Sequence, residues 1–145
     1  MRAPEVFLGK SCYGPSQVWA IAAMVLVWMK RKLLGSSDAP HPILAKPWSM
    51  AKLRRLFPDW KFPNADQITT HELRAAIQIS ERESREEEVM LEISPLPEEM
   101  RKMEIPKQLR DLLSFMLVTD PEVRPSASDV LASSEFHAFE QSADT

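Results

Sequence analysis

Residues 18–29, VWAIAAMVLVWM, form a continuous uncharged apolar run, and this run decides the fold class. A helix that crosses a membrane needs about 20 apolar residues, whereas this run stops at the basic tripeptide of residues 30–32. Glu5 precedes the run and no small-residue cleavage site follows it, so it does not resemble a secretory signal. The run therefore predicts a helix that is apolar on every side and buried at the centre of a domain, with no membrane as partner.

The segments that follow predict further helices separated by proline-bearing loops. Residues 47–57, PWSMAKLRRLF, place apolar side chains at helical spacing and end before a proline. Thr69 and Glu72 have the spacing of a capping box, which predicts the start of another helix. Beyond it, Glu81 and Arg85 are spaced to pair along a helix, so we expect a solvated helix there rather than a disordered acidic stretch.

The C-terminal part of the chain continues this helical pattern. Residues 92–106 contain several prolines and predict an irregular connection, and residues 107–118 then carry a strong apolar stripe. Ser126 and Asp129 have capping-box spacing before a last helix, which we expect to end near Phe139. Since no alternating strand pattern and no internal repeat is visible, the predicted class is all-α.

Composition limits the chain to one ordinary domain, with 145 residues, 44% hydrophobic residues and a net charge of −3. Residues 1–60 hold nine Lys and Arg against three Asp and Glu, and residues 61–145 hold nine against eighteen. The basic residues are scattered and accompany no recognition motif, so we expect no nucleic-acid partner. Cys12 is the one cysteine, which excludes an internal disulfide and predicts an intracellular location, cytoplasmic or nuclear.

The sequence predicts no catalytic, cofactor-binding or metal-binding residue. Only three glycines occur, and they form neither a P-loop nor a GxGxxG loop that would wrap a phosphate. The three histidines are far apart and belong to no HExxH or CxxC pattern, so no metal site is expected. These histidines are His41, His71 and His137. No GxSxG nucleophile elbow is present either.

Three stretches, in order, resemble the C-terminal lobe of the eukaryotic protein kinase domain. They are RAPEVFLG at residues 2–9, YGPSQVWAIAAM at residues 13–24 and LLSFMLVTDPEVRPSASDVL at residues 112–131. In that family an Ala-Pro-Glu element closes the activation segment, and a Trp-containing apolar helix runs through the lobe. An Asp-Pro-x-x-Arg-Pro loop precedes the final helix. The Arg before Ala-Pro-Glu and the Leu-Gly after it most resemble the branch that contains cyclin-dependent, mitogen-activated and SR-protein kinases.

The resemblance implies an all-α, truncated kinase-like domain over residues 1–140 and a C-terminal tail over residues 141–145. It also implies a buried ion pair between Glu5 of the Ala-Pro-Glu element and Arg124 of the later loop. The family carries its ATP and magnesium groups before the Ala-Pro-Glu element, so we expect them to precede Met1 and the chain alone to be an inactive pseudokinase without cofactor. The alternative is a fragment gene model of a full-length, ATP-dependent serine/threonine kinase.

Two residues depart from the family pattern. The family places an Asp two residues before the helix Trp, where this chain has Gln17 before Trp19. The family also prefers a Gly three residues after that Trp, where this chain has Ala22. Because the family's Asp braces the catalytic loop, the neutral Gln17 implies a less firmly anchored loop, through relaxed selection or in a divergent branch.

A different class of function, a helical protein-interaction module, is the other hypothesis. It predicts a docking patch in which three aromatic side chains form an apolar surface and three basic side chains rim it. The six residues are Trp48, Lys52, Arg54, Arg55, Phe57 and Trp60. The competing expectation for these aromatic residues is packing against the acidic segment. A protein partner is also expected to cover the apolar helix of residues 18–29.

Overall fold

The computed structural model describes residues 1–63 and 65–145, and this part of the chain is 62% helical without a strand. The predicted all-α class is confirmed. The α-helices of the described part are α1 Pro4–Phe7, α2 Gly14–Met29, α3 Ala45–Leu56, α4 His71–Glu86, α5 Glu88–Leu91, α6 Leu96–Lys102, α7 Lys107–Met116, α8 Ala127–Leu131 and α9 Ser134–Ala143. Short 3₁₀ turns occupy Pro42–Leu44 and Ala65–Gln67.

Local hydrogen bonds explain where several of these helices begin. At the start of α2 the backbone N–H of Tyr13 donates to the hydroxyl of Ser16 at 3.3 Å. Pro15 occupies the first turn of this helix, where a backbone N–H has no partner within the helix, so the N–H that proline lacks is not needed. At α8 the N–H of Asp129 donates to Ser126 Oγ at 3.2 Å, and the N–H of Ser126 donates back to Asp129 Oδ2 at 2.9 Å. The capping box predicted from Ser126 and Asp129 is therefore confirmed.

The hydrophobic core forms where the longer helices pack on one another. Helix α2 contacts α7 and α8, α3 packs along α4, and α7 packs against α9. Trp19 of α2 is completely buried, and its ring centroid lies 5.1 Å from that of Phe57 at the end of α3. The burial of these two large aromatic groups joins α2 to α3 and makes Trp19 the centre of the core.

Helix α2 is not buried on every side, so the prediction from its composition is corrected. Val18, Ala22 and Leu26 face the core with at most 3% exposure. The opposite side of the same helix carries apolar side chains that face solvent, because no other described element packs there. Trp28 is the most exposed of these residues, at 84%.

Helix α4 starts one residue later than predicted. Thr70, rather than Thr69, is its N-cap, and the hydroxyl of Thr70 accepts the N–H of Leu73 at 3.3 Å. Because Thr70 is the N-cap, Glu72 lies one position too early in the helix to complete a capping box. The predicted solvated helix is present, and Arg85 pairs with Glu81 along it.

Two further predictions in the C-terminal part are corrected. The segment of residues 92–106 is not irregular throughout, because α6 occupies its middle. A proline lies in the first turn of α6, where a proline is compatible with a helix. The last helical stretch is two helices rather than one. Ser133 breaks it and caps the second, since its hydroxyl accepts the N–H of Phe136 at 3.1 Å, and α9 then extends past Phe139.

Candidate functional site

A carboxylate and a guanidinium from distant parts of the sequence meet inside the fold. Glu5 lies in α1, and Arg124 lies in the loop before α8. Nη1 and Nη2 of Arg124 donate to Oε1 and Oε2 of Glu5, each at 2.8 Å. The Arg124 side chain is 0% exposed and the Glu5 side chain is 2% exposed. The structure therefore brings together the two residues of the predicted ion pair in the bidentate geometry that is strongest for this pair of groups.

Backbone carbonyl groups complete the surroundings of the Arg124 guanidinium. Its Nε donates to the carbonyl of Val118 at 2.7 Å, and Nη1 also donates to that of Pro15 at 3.2 Å. Nη2 donates to the carbonyl of Thr119 at 3.3 Å. The guanidinium carbon lies 5.2 Å from the ring centroid of Trp19, within the range of a cation–π contact. One side chain thus connects α1, the start of α2 and the loop before α8.

The electrostatics of Glu5 favour the charged form. Burial by itself raises the pKa of this carboxyl, but hydrogen bonds from Arg124 and Ser16 and the positive charge of Arg124 together lower the pKa below its ordinary value. The Ser16 hydroxyl donates to Glu5 Oε1 at 2.7 Å. At neutral pH the ion pair is therefore fully formed.

Sequence reasoning missed a second buried ionic cluster, centred on Lys52 of α3. Lys52 Nζ donates to Asp38 Oδ1 at 2.6 Å and to the carbonyl of Lys32 at 2.6 Å. The indole N–H of Trp48 donates to the same Asp38 oxygen at 3.1 Å. Burial lowers the pKa of Lys52, and the Asp38 carboxylate offsets only part of this effect. The cluster ties the connection between α2 and α3 onto α3. No local spacing pattern would have revealed it.

The predicted docking patch does not form an exposed surface, and on this point the prediction is corrected. Trp48, Lys52 and Trp60 are 3%, 0% and 8% exposed, so a partner arriving from solution does not reach them. Phe57 is half-buried and packs on Trp19. The physical reason is that α3 is an interior helix, so its aromatic side chains belong to the core.

The two arginines of the predicted patch are also engaged within the fold. Arg54 Nε donates to Ser80 Oγ of α4 at 3.0 Å, and its guanidinium carbon lies 3.6 Å above the ring of Phe62. Arg55 Nε donates to the backbone carbonyls of Met90 and Ile93 at 3.0 and 3.2 Å. Both arginines therefore fasten α3 to the acidic segment rather than rim a docking surface.

The surface that does face solvent lies on α2. Ile21, Met24 and Trp28 are 54%, 62% and 84% exposed and follow one another at helical spacing, so they share one face of the helix. We refer to these three residues as the α2 stripe. Gln17 is exposed one turn before the stripe, and Ala22 is buried on the opposite side. Exposed apolar patches of this kind mark interaction sites more often than isolated apolar residues do.

Other chemical features of the described residues are few. Within residues 1–63 and 65–145, no three His, Cys, Asp or Glu side chains come together to hold a metal ion. Cys12 is exposed, with a free thiol. None of the helices in these two segments is both long and apolar enough to reach across a bilayer.

No protein-family model, curated protein or solved structure matches this chain.

Proposed function

We propose that residues 1–145 form the scaffold of a C-terminal lobe in a protein-kinase-like protein derived from the serine/threonine kinases. The proposal rests on the three motifs that resemble the family, and the Glu5–Arg124 contact is the observation that carries it. A kinase-like lobe needs this contact, because it fixes the end of the activation segment against the loop before the final helices. Chance resemblance of short motifs gives no reason for these two residues to meet.

In this proposal the 145 residues have a structural role, not a catalytic one. Phosphoryl transfer depends on groups that position ATP, magnesium and the attacking hydroxyl, and the kinase family supplies them from elements other than those matched here. We therefore expect residues 1–145 alone to neither bind ATP nor transfer phosphate. If the same residues belong to a full-length serine/threonine kinase, they have the same scaffold role beside a complete active site.

A chimera tests the scaffold role directly. Residues 2–140 would replace the segment from Ala-Pro-Glu to the final helix in an active kinase of the same branch. We expect the chimera to fold and keep measurable ATP-dependent phosphorylation, and Gln17→Asp to increase its activity by restoring the brace of the catalytic loop. Gln78→Asp, the same substitution at another exposed helical position, on α4, is the matched control. A chimera that melts cooperatively but is inactive with either residue at position 17 contradicts the proposal.

We also propose, as a second function, that the α2 stripe binds a protein partner through an apolar surface. The exposure of Trp28, Met24 and Ile21 favours it, since a tryptophan that is 84% exposed leaves much apolar area in water. A photo-crosslinking amino acid at position 28 should give a discrete protein adduct in cells. The same group at position 43 should give none, although Ile43 is equally apolar and 80% exposed. Equal labelling from both positions contradicts a specific partner.

A further inference from the structure

Apolar contact alone does not give the α2 stripe enough area to hold a stable partner. Trp28 is 84% exposed and offers on the order of 200 Å² of apolar surface. Ile21 and Met24 are smaller and less exposed, at 54% and 62%. Each partner contributes roughly 800 Å² to a standard protein interface. The charges around the stripe therefore decide which surface pairs with it.

The charges around the stripe are positive. Residues 6–37, which contain α2, hold four Lys or Arg and no Asp or Glu. Lys30 pairs with Glu99. Arg31 and Lys32 follow α2, are exposed, and make no ion pair in the described part of the chain. A second stripe laid on this one would bring no carboxylate to these cations, so the stripe favours a surface that is acidic as well as apolar.

The same chain carries a surface of that kind at α5. Residues 86–92, EEEVMLE, hold four Glu and no Lys or Arg, and all four carboxylates are exposed. None of the four makes an ion pair within the two described segments. Leu91 is 52% exposed. Glu88 lies three positions before Leu91 and four before Glu92, so helical spacing places these three residues on one side of α5. We refer to them as the acidic face.

We propose that the α2 stripe of one copy of this chain binds the acidic face of a second copy. Trp28 packs against Leu91 of the other copy. Arg31 and Lys32 pair with the two glutamates of that face. The inference rests on the proposed role of the α2 stripe as a protein-binding surface, and it names the partner.

Val123 is also exposed beside acidic residues, and it provides a control surface. It is 69% exposed and follows Glu122 in the loop before α8. The other carboxylate of that loop, Asp120, already accepts the backbone N–H of Glu122 at 2.9 Å. Two carboxylates attract the basic end of α2 less strongly than the four of residues 86–92 do.

Sedimentation equilibrium of the whole chain over a range of concentrations tests the contact. We expect the average mass to rise with concentration at low ionic strength. Raising sodium chloride from about 0.05 M to about 1 M should weaken the association severalfold, because the Debye length falls to about 3 Å. Association that is unchanged or stronger in salt indicates apolar contact without charge pairing and overturns the inference.

Charge-reversal variants identify the second surface. Glu88→Lys combined with Glu92→Lys should weaken the association about fivefold or more, because like charges then face each other. Glu72→Lys combined with Glu122→Lys changes the net charge equally at exposed positions outside the acidic face and should leave the association as it is in the wild type. Equal association constants of the two double variants overturn the inference.

Mixing two defective chains shows whether the surfaces meet each other. Arg31→Glu combined with Lys32→Glu should weaken association to the same degree as Glu88→Lys combined with Glu92→Lys. An equimolar mixture of these two chains should associate again, because each copy then meets a surface of opposite charge. A mixture that stays monomeric, while both chains melt like the wild type, overturns the pairing.

Failure of this inference can be told apart from failure of the α2 stripe as a binding surface. A wild-type chain that stays monomeric at every concentration overturns the inference. If a photo-crosslinker at position 28 then labels a different protein, the stripe keeps its proposed role with another partner. If it labels no protein and the chain instead sediments with phosphatidylserine vesicles, both the inference and the proposed protein-binding role are overturned.

Discussion

Glu5 and Arg124 lie 119 positions apart in the sequence and are joined by two parallel hydrogen bonds of 2.8 Å in the interior. Both groups lose their hydration on burial, and the bidentate geometry with the surrounding carbonyl groups offsets this loss. The net stability that the pair contributes is therefore small, whereas the loss of one partner leaves the other charge buried and uncompensated.

Removing either partner should destabilise the fold strongly. Glu5→Ala and Arg124→Ala should each lower the free energy of unfolding by about 3–5 kcal/mol, measured by urea denaturation. The double variant should lose less than the sum, because no charge is then left without its partner. Glu122→Ala, an exposed residue of the same loop, should change stability by no more than about 0.5 kcal/mol. Additive effects of the two substitutions contradict the pairing.

The Glu5–Arg124 pair should also make the fold sensitive to acid. The pKa of Glu5 is lower in the folded chain than its ordinary value. Its contribution is therefore complete above the unfolded-state pKa, about 4.3, and is lost as the pH falls through the folded-state pKa. Unfolding free energies of the wild type and Glu5→Gln should differ most at neutral pH and converge in acid. A difference that stays constant with pH assigns the effect to packing instead.

Glu83 in α4 should behave in the opposite way. It is 4% exposed, and its Oε2 has no hydrogen-bond partner within the described residues. Burial and the nearby charge of Glu87 raise the pKa of Glu83. The fold therefore loses stability as the pH rises above the ordinary pKa of glutamate, because Glu83 loses its proton more readily in the unfolded chain than in the folded one. Glu83→Gln should stabilise the fold by roughly 1–2 kcal/mol at neutral pH and have little effect in acid. Exposed Glu86→Gln is the matched control. Destabilisation by Glu83→Gln at neutral pH contradicts this interpretation.

The α2 stripe should make the isolated chain bind apolar dyes and self-associate. Trp28→Lys should reduce both the fluorescence of a bound dye and the concentration-dependent mass in sedimentation. The melting temperature should stay nearly unchanged, because the Trp28 side chain contributes little to the core. Ile43→Lys should leave dye binding as it is in the wild type, since Ile43 is 80% exposed outside the stripe. Equal loss of dye binding in both variants contradicts a specific role for α2.

Local patterns in the sequence predicted the helices well where apolar spacing and capping residues act within one turn. The box of Ser126 and Asp129 is an example, because both of its hydrogen bonds join residues three positions apart. The segment that contains α6 was missed because its prolines indicate a loop, although a proline at the first turn is compatible with a helix. The Glu5–Arg124 pair came from family resemblance, and no local pattern contains it.

Burial was harder to predict than helix position. Lys52 was assigned to an exposed rim because lysine is usually solvated, yet Asp38 and the carbonyl of Lys32 surround its ammonium group. The apolar composition of residues 18–29 predicts a buried Trp28, and the structure instead exposes it. An apolar composition tells which residues favour a core, but not whether another element covers that side of the helix.

A crystal structure of the active-kinase chimera that carries residues 2–140, superposed on the C-terminal lobes of serine/threonine kinases, tests the proposed kinase-like origin most directly. The proposal predicts that α2 overlays the Trp-containing helix of those lobes. Glu5 and Arg124 should then coincide with the paired Glu and Arg of their Ala-Pro-Glu and Asp-Pro-x-x-Arg-Pro elements. A different order of helices around Trp19, or Glu5 and Arg124 apart on separate faces, would contradict the proposal.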